Sequence, residues 1–423
     1  MLKRFVLWAA VIAAAGAALG AQGRGGQPAG PQKVTAIRAG RLVDPETGTA
    51  AANQIILVEG ERIRDVGPNV TIPQNAEVID LSRQTVVPGF VDTHTHLAMT
   101  YKDVPESNIY YYTYITDPTP LRSIQAASSA MQLLSSGFTV VCDVGNNGFY
   151  ADTALRQAIE QGWMPGPTII PSGLIISTTG GQFTPSPEMY KFHNIVYPEY
   201  LEANSHDEIV KAVRENLLFG AKVNAHVQTR DGAQRAIDAG LHVISHGQQL
   251  TPEQHAQMAQ KNIYLASTDT PFTEYRGSTQ GQQHAADELK SAWQKGVRIT
   301  FSTDMDYWND KMKKPDGEWM NRGDLTINFL LTWKAAGIPA KDTLKALTTN
   351  GYGAADVLKD QRGPIKAGFY ADIVAVNGDP LANIDALRDV QFVMKNGEVF
   401  KKNGVITIDK LLRPGPVNGY RRR

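Results

Sequence analysis

The sequence predicts an α/β protein in which a TIM-type (β/α) barrel carries a small composite β-sandwich. Apolar strand segments alternate with helical segments between residues 87 and 360, and such alternation is typical of parallel strands. Short alternating strands occur before this region and return after it, which predicts one β-domain built from both chain ends. A chain of 423 residues is long enough to form both parts.

The amino terminus has the pattern of a secretory signal peptide, residues 1–21. Two basic residues precede an apolar run at 5–19, and the small residues Gly20 and Ala21 follow it. The run is short for a membrane span, and no cysteine follows that could carry a lipid. Residues 22–32 are rich in Gly, Gln and Pro and predict a flexible linker. We therefore expect a periplasmic or secreted protein without a stable membrane anchor; an uncleaved anchor is the alternative.

The rest of the chain divides by pattern into a β-domain, a barrel and a tail. Residues 33–86 and 361–408 contain the short alternating strands of the composite β-sandwich. Residues 87–360 form the predicted barrel, and residues 409–423 form a basic carboxyl-terminal tail.

Seven strong strands are predicted within the barrel, each followed by a helical or loop segment. The predicted strands are 86–97, 138–144, 168–176, 221–227, 242–246, 263–267 and 298–303. The predicted helices are 121–136, 151–161, 206–219, 231–239, 252–261, 285–295 and 325–336. Because the strands are parallel, their carboxyl ends lie at one rim, which is where the active site of such a barrel forms.

Composition excludes several function classes. Lys plus Arg and Asp plus Glu both number 42, and this zero net charge argues against nucleic acid or an anionic membrane as a partner. The single cysteine, Cys142, excludes an internal disulfide, and its apolar neighbours predict a buried, inert thiol. The sequence contains no G-x-S-x-G, no H-E-x-x-H and no phosphate-binding loop.

Histidines at the strand ends predict a metal site. The segment VVPGFVDTHTHL at 86–97 ends with His94 and His96, which point to the same side because side chains alternate along a strand. His226, His246 and Asp304 lie at the ends of three further strands. Imidazole and carboxylate groups brought to one rim are typical ligands of a divalent transition metal.

The motifs PGFVDTHTHL, VISHG, FSTD and GPIKAGFYADIVAVNGDP resemble the amidohydrolase superfamily. More narrowly, the chain resembles the imidazolonepropionase-like and Xaa-Pro (prolidase-type) dipeptidase branch. The resemblance implies a metal-dependent hydrolase of C–N bonds, with Zn²⁺ as the expected cofactor. It implies metal ligands at His94, His96, His226, His246 and Asp304. Asp304 also matches the acid/base that handles the proton of the attacking water, and His246 matches a residue that assists the reaction.

One departure from the family pattern concerns the fourth barrel strand. Many members carry a carboxylated lysine there that bridges two metals, whereas here GAK runs directly into VNAHV. Lys222 lies four residues before His226, about 13 Å too deep along the strand. The sequence leaves open whether the barrel lacks one βα unit or residues 193–200 supply a short strand. It also leaves open whether the site binds one zinc ion or two.

The resemblance favours hydrolysis of an amide or peptide bond in a small substrate, such as a dipeptide or an N-acyl amino acid. Arg230 and Arg276 follow two of the strands and could meet a substrate carboxylate, or could be ordinary surface residues. Gly181 and Gln182 lie in ISTTGGQ, which resembles the family's third loop, and are candidate substrate contacts. A mononuclear hydrolase of cyclic amides and a catalytically impaired binding protein are the alternatives. A homo-oligomer is compatible with the sequence.

Overall fold

A computed structural model describes most of the predicted β-domain and barrel. The described residues are 32–99, 117–145, 148–172, 175–177, 200–202, 224–227, 229–268, 279–304, 321–356 and 360–407. The predicted signal peptide, nearly all of the linker and the basic tail lie outside these ranges, so they stay predictions. Among the helices of the described ranges, none has the length and apolarity that a membrane crossing requires.

The described strands fall into three groups along the chain. The first group is β1 (Val34–Asp44), β2 (Thr49–Glu59), β3 (Arg62–Gly67) and β4 (Glu77–Pro88). The middle group is β5 (Phe90–Thr95), β6 (Phe138–Asp143), β7 (Thr168–Pro171), β8 (Ile175–Ser177), β9 (Tyr200–Glu202), β10 (Asn224–Val227), β11 (Val243–His246), β12 (Tyr264–Thr268) and β13 (Arg298–Ser302). The last group is β14 (Ile373–Val376), β15 (Val390–Lys395), β16 (Glu398–Lys402) and β17 (Val405–Ile406).

The first and last groups form one sheet of eight strands, in the order β17-β16-β15-β14-β4-β1-β2-β3. The long strand β4 is the reason that they join. It pairs in parallel with β1 from Glu77 to Val86, with an irregularity before Thr85, and Thr85 to Pro88 also pair antiparallel with β14. The continuous sheet differs from the two separate sheets that a β-sandwich implies. It folds around a shared apolar core to which both chain ends contribute, with Ile37, Val86 and Phe392 among its fully buried residues.

The strands of the middle group pair in parallel, as the alternating pattern predicts. They form the sheets β5-β6-β7 and β10-β11-β12-β13 and the separate pair β8-β9. The predicted strand 168–176 is wrong as a single strand, because β7 ends at Pro171, which has no N–H to continue the ladder. The strand β9 begins at Tyr200, the last residue of the stretch considered for a replacement strand.

Side-chain and backbone contacts place β13 directly beside β5. Thr93 Oγ1 lies 2.7 Å from Thr300 Oγ1 and donates to the Phe301 carbonyl at 3.1 Å. Behind these strands, the Phe138 ring packs edge-on against Phe90 and stacks on Phe301, with ring centroids 5.8 and 5.9 Å apart. The two larger parallel sheets therefore meet along β5 and β13, and their carboxyl ends share one rim.

The described helices follow the strands of the middle group. They are α1 (Thr119–Ser135), α2 (Ala151–Glu160), α3 (Arg230–Ala239), α4 (Pro252–Gln260), α5 (Thr279–Gln294), α6 (Arg322–Ile327), α7 (Leu330–Ala335), α8 (Ala340–Lys345) and α9 (Gly351–Ala354). A π-helical turn (Ala346–Asn350) joins the last two, and a 3₁₀ turn (Ile384–Arg388) precedes β15. The predicted helix 325–336 is two short helices, and helix 206–219 lies outside the described residues.

Local sequence explains where several helices begin. Thr251 caps α4 with a capping box: its hydroxyl accepts the Gln254 N–H at 3.2 Å, and the Gln254 side chain accepts the Thr251 N–H at 3.0 Å. The Thr229 hydroxyl accepts the Gly232 N–H at 3.1 Å at the start of α3. These caps fix the turns that leave the rim.

We predict that His255 lowers stability in mild acid. It is 1% exposed, and burial, followed by the nearby Lys295, lowers its pKa to about 4. An unfolded histidine has a pKa of about 6.5. As pH falls, the unfolded chain therefore takes up a proton on this histidine before the folded chain does. The free energy of unfolding is unaffected by His255 above pH 6.5 and falls as the pH drops from 6.5 toward 4. Thermal unfolding between pH 7.5 and 5.0 should show a smaller loss of Tm in His255→Gln than in the wild type.

His284→Gln is the control, because His284 is an exposed histidine on α5. Its acid-induced loss of Tm should match that of the wild type. An equal loss in His255→Gln would contradict the assignment to His255.

Candidate metal centre

His94 lies in β5 and His96 directly follows its last residue, so the alternation of the strand points both histidines at the rim. His94 and His96 are both 0% exposed, and their ring centroids lie 5.2 Å apart. Thr93, which alternates with them, points the other way and bonds to β13. One strand thus delivers two imidazoles to one buried point.

Three other strands bring the remaining candidates to the same place. His226 lies in β10 and His246 ends β11, and their ring centroids lie 4.6 and 5.0 Å from that of His94. Asp304 follows β13, and its Oδ1 lies 2.9 Å from His96 Nε2 and 3.3 Å from His94 Nε2. Asp304 Oδ2 lies 3.9 Å from His246 Nδ1. The structure therefore brings together all five residues that the sequence singles out.

The donor set fits a divalent metal. One ligand atom each from His94, His96 and His226 lies within 4.8 Å of the others, and the same holds for His94, His246 and Asp304. Zinc bonds of about 2.0–2.2 Å require ligand atoms a little closer together than this limit. The buried Nε2 of His226 has no hydrogen-bond partner among the described residues, as expected of a nitrogen reserved for a metal.

Burial keeps the imidazoles in the form that binds metals. Burial lowers the pKa of His94, and it lowers that of His246 to about 4. Burial, followed by the neighbouring His94, holds the pKa of His226 well below its usual range. Only a neutral imidazole has a lone pair for a metal, so the cluster is ready to bind at neutral pH.

The carboxyl group of Asp304 is held as a carboxylate. Burial by itself raises its pKa, but the adjacent imidazoles of His94 and His96 outweigh burial and hold the pKa well below its usual range. The Asp304 side chain is 29% exposed, whereas those of His94 and His96 are fully buried. The carboxylate therefore faces the open side of the cluster.

Two of the candidate ligands have left-handed backbones. His246 has φ of +69° and Asp304 has φ of +52°, a region that non-glycine residues rarely adopt. Hydrogen bonds hold the chain at both points: Gly247 N–H donates to the Val227 carbonyl at 3.0 Å, and Asp304 N–H donates to the His94 carbonyl at 2.9 Å. Such conformations persist where neighbouring contacts hold them, and they cluster at functional sites.

The orientation of His96 is fixed from behind. Its Nδ1 lies 2.9 Å from the Gly145 carbonyl, which can only accept, so Nδ1 carries the proton and Nε2 presents a lone pair. Arg322, which is buried, donates from Nη2 to the His96 carbonyl at 2.9 Å. Asp143 accepts the Leu97 N–H at 3.3 Å, and burial raises the pKa of Asp143 to about 8.

The sequence reasoning missed this supporting layer. Asp92 and Asp143 could have been noticed, because each is an acidic residue that directly follows an apolar stretch of its strand. Arg322 carries no local signal, since it begins a helix far along the chain from β5.

Of the remaining residues discussed from the sequence, the structure describes two, Arg230 and Cys142. Arg230 is an exposed first residue of α3, and its carbonyl accepts Gln254 Nε2 at 2.8 Å. Cys142 lies in β6, where burial raises its thiol pKa to about 12, as expected for an inert thiol. The other four residues discussed from the sequence lie outside the described ranges: Gly181, Gln182, Lys222 and Arg276.

The amidohydrolase family profile matches residues 85–400, which contain all five clustered residues. The chain belongs to the amidohydrolase family. The resemblance seen in its motifs, and the prediction of a hydrolase acting on C–N bonds, are thereby confirmed.

Several individual proteins are similar to this amidohydrolase. Ochratoxinase of Aspergillus niger is 24% identical over 445 residues, with 88% of each chain covered. A solved Xaa-Pro dipeptidase with bound methionine superposes with a TM-score of 0.72 at 24% identity, covering 87% of this chain and 100% of its own. A prolidase complexed with N-methylphosphonate-L-proline gives a TM-score of 0.71 at 22% identity, covering 88% and 100%. The solved structures show that the fold is shared.

We predict that His226→Ala weakens zinc binding by at least about tenfold, since losing even an outer partner of a ligand costs 10–100-fold in metal affinity. Competition against a chromophoric chelator would measure the dissociation constant. The metal content of the wild type should be about one zinc per chain.

His255→Gln is the matched control, because it replaces a buried histidine that bonds to Ser291 outside the cluster. Its zinc affinity should equal that of the wild type. Unchanged affinity in His226→Ala would contradict the assignment of His226 as a ligand.

Proposed function

We propose that this amidohydrolase is a zinc-dependent enzyme that hydrolyses the amide or peptide bond of a small substrate, such as a dipeptide or an N-acyl amino acid. The observation that carries the proposal is the convergence of four imidazoles, three of them on buried residues, and one carboxylate at the ends of four parallel strands. Family membership supports the reaction class, because amide hydrolysis uses this combination of ligands and a carboxylate acid/base.

A bound divalent metal supplies two effects, a lower pKa for a coordinated water and polarisation of the substrate carbonyl. His94, His96, His226 and Asp304 would hold it, with His246 completing the wall. An imidazole side chain contributes no negative charge, so the carboxylate of Asp304 is the one anionic group among the five. The site therefore keeps positive charge in excess when it holds a divalent ion.

Asp304 has the position of the proton carrier. Its side chain is partly exposed on the open face of the cluster, where it can accept the proton of the attacking water and pass it to the leaving nitrogen. His246 lies next to Asp304 Oδ2 and would contact the developing oxyanion or the substrate. Both roles were implied by the family resemblance, and the geometry supports them.

The names of the relatives favour a substrate with a carboxylate. A Xaa-Pro dipeptidase and a prolidase share the fold, and dipeptides carry a free carboxylate. Arg230 and Arg276 are proposed to meet that carboxylate, and Gly181 and Gln182 are proposed as further substrate contacts. Screening the zinc-loaded protein against dipeptides, N-acyl amino acids and cyclic amides would identify the class. Activity on cyclic amides alone would favour the alternative, a mononuclear hydrolase of cyclic amides.

The proposal includes a closed barrel around this site. The contacts between β5 and β13 join the two larger parallel sheets, and solved structures of the family superpose over most of the chain. Whether the barrel lacks one βα unit before β10 stays a prediction, and so does the absence of a bridging lysine.

We also propose export of the enzyme from the cytoplasm, on the pattern of residues 1–21. Expression of the full chain in a bacterial host should give a mature amino terminus near position 21 or 22 by mass spectrometry of the periplasmic fraction. An intact amino terminus in a membrane fraction would support the uncleaved anchor.

Asp304→Asn should reduce kcat by about 10²–10⁴-fold, the range expected when a general acid–base group is removed. Circular dichroism should show a folded protein, since the amide is isosteric with the carboxylate. Asp287→Asn, an exposed substitution on α5, is the control and should retain wild-type kcat. Wild-type kcat in Asp304→Asn would exclude the proton-transfer role.

A further inference from the structure

Asp92 is a fully buried carboxylate that the proposed chemistry does not use. It lies on β5 two residues before His94 and has 0% exposure. Its Oδ1 accepts the His94 N–H at 3.1 Å, and its Oδ2 accepts the Thr303 hydroxyl at 2.7 Å. Both partners are adjacent to, or are themselves, candidate metal ligands.

These bonds form a closed cycle between two strand ends. Thr303 directly precedes Asp304, and the Asp304 N–H donates to the His94 carbonyl at 2.9 Å. A path from Asp92 to His94, Asp304 and Thr303 therefore returns to Asp92. Each member of the cycle is either hydrogen-bonded or peptide-bonded to the next, so neither ligand can shift without breaking a bond.

The cycle has a physical reason to be rigid. A buried carboxyl group is costly unless its oxygens are hydrogen-bonded, and both oxygens of Asp92 have a partner. Asp304 also has a left-handed backbone that surrounding contacts must hold in place. The short Asp92–Thr303 bond acts one residue before that point.

We propose that Asp92 is a positioning residue that, through Thr303, sets the separation between His94 and Asp304 before a metal binds. The inference rests on the proposed metal centre. In this role Asp92 contacts neither the metal nor the substrate. Part of the metal affinity then depends on the hydrogen bond between Asp92 and Thr303, which joins two strand ends.

The test compares variants on the same pair of strands. Thr303→Val removes the hydroxyl at nearly constant volume, Thr303→Ser restores it, and Asp92→Asn removes one acceptor oxygen. Thr300→Val is the matched control, because Thr300 joins β13 to β5 through Thr93 but bonds to no member of the cycle. Readouts are the zinc dissociation constant by chelator competition, the visible absorption of Co²⁺-loaded protein, and the Tm of the metal-free protein.

We expect the zinc dissociation constant of Thr303→Val and Asp92→Asn to rise about 10–100-fold, the range typical of groups that orient ligands. The Co²⁺ spectrum should change in both, and Thr303→Ser should recover wild-type values. Thr300→Val should lower Tm while its zinc affinity stays within about twofold of the wild type.

Two negative results are distinguishable. If the wild type binds zinc and Thr303→Val binds it equally well with an unchanged Co²⁺ spectrum, the positioning role is overturned and the metal centre stands. Equal losses of affinity in Thr303→Val and Thr300→Val would also overturn it, since the effect would then follow general destabilisation. If the wild type binds no zinc, the proposed function itself fails.

Discussion

The contact between the ends of β5 and β13 is the constraint on which the site depends. At this junction the Asp304 carboxylate meets the imidazoles of His94 and His96, and the backbone of Asp304 bonds to the His94 carbonyl. Strands more than 200 positions apart in the chain must lie side by side for this contact to exist. The segments that connect them determine whether the ligands meet.

Burial at the rim has two effects that act together. It keeps the histidines neutral, which a metal requires, and it leaves their ring nitrogens with few partners inside the protein. Water cannot replace those partners at a buried atom. Folding the cluster without a bound cation therefore costs free energy. The hydrogen bonds of Asp92, Arg322 and Gly145 to His94 and His96 keep these two histidines in position.

The sequence predicted the residues of the site better than it predicted how the surrounding strands pair. The five candidate ligands follow from strand periodicity and motif resemblance, because His94, His226 and the others occupy strand ends that local pattern can locate. The break at Pro171 and the single sheet formed around β4 depend on pairing between distant segments. Asp92 itself has a local signal, but its bond to Thr303 could not be predicted, because no local pattern relates the two residues. Long-range pairing is not encoded in periodicity.

The strand β4 bears on the order in which the chain assembles. Its last residues pair with β14, which lies near the carboxyl end of the chain. The sheet that contains β4 therefore stays incomplete until nearly the entire polypeptide has been synthesised. Contacts of such high sequence separation form late and slowly. Until then the edge of β4 exposes unpaired backbone groups that favour association with other chains. A chain built in this way gains more from protection of the β4 edge during synthesis than from rapid folding of its first hundred residues.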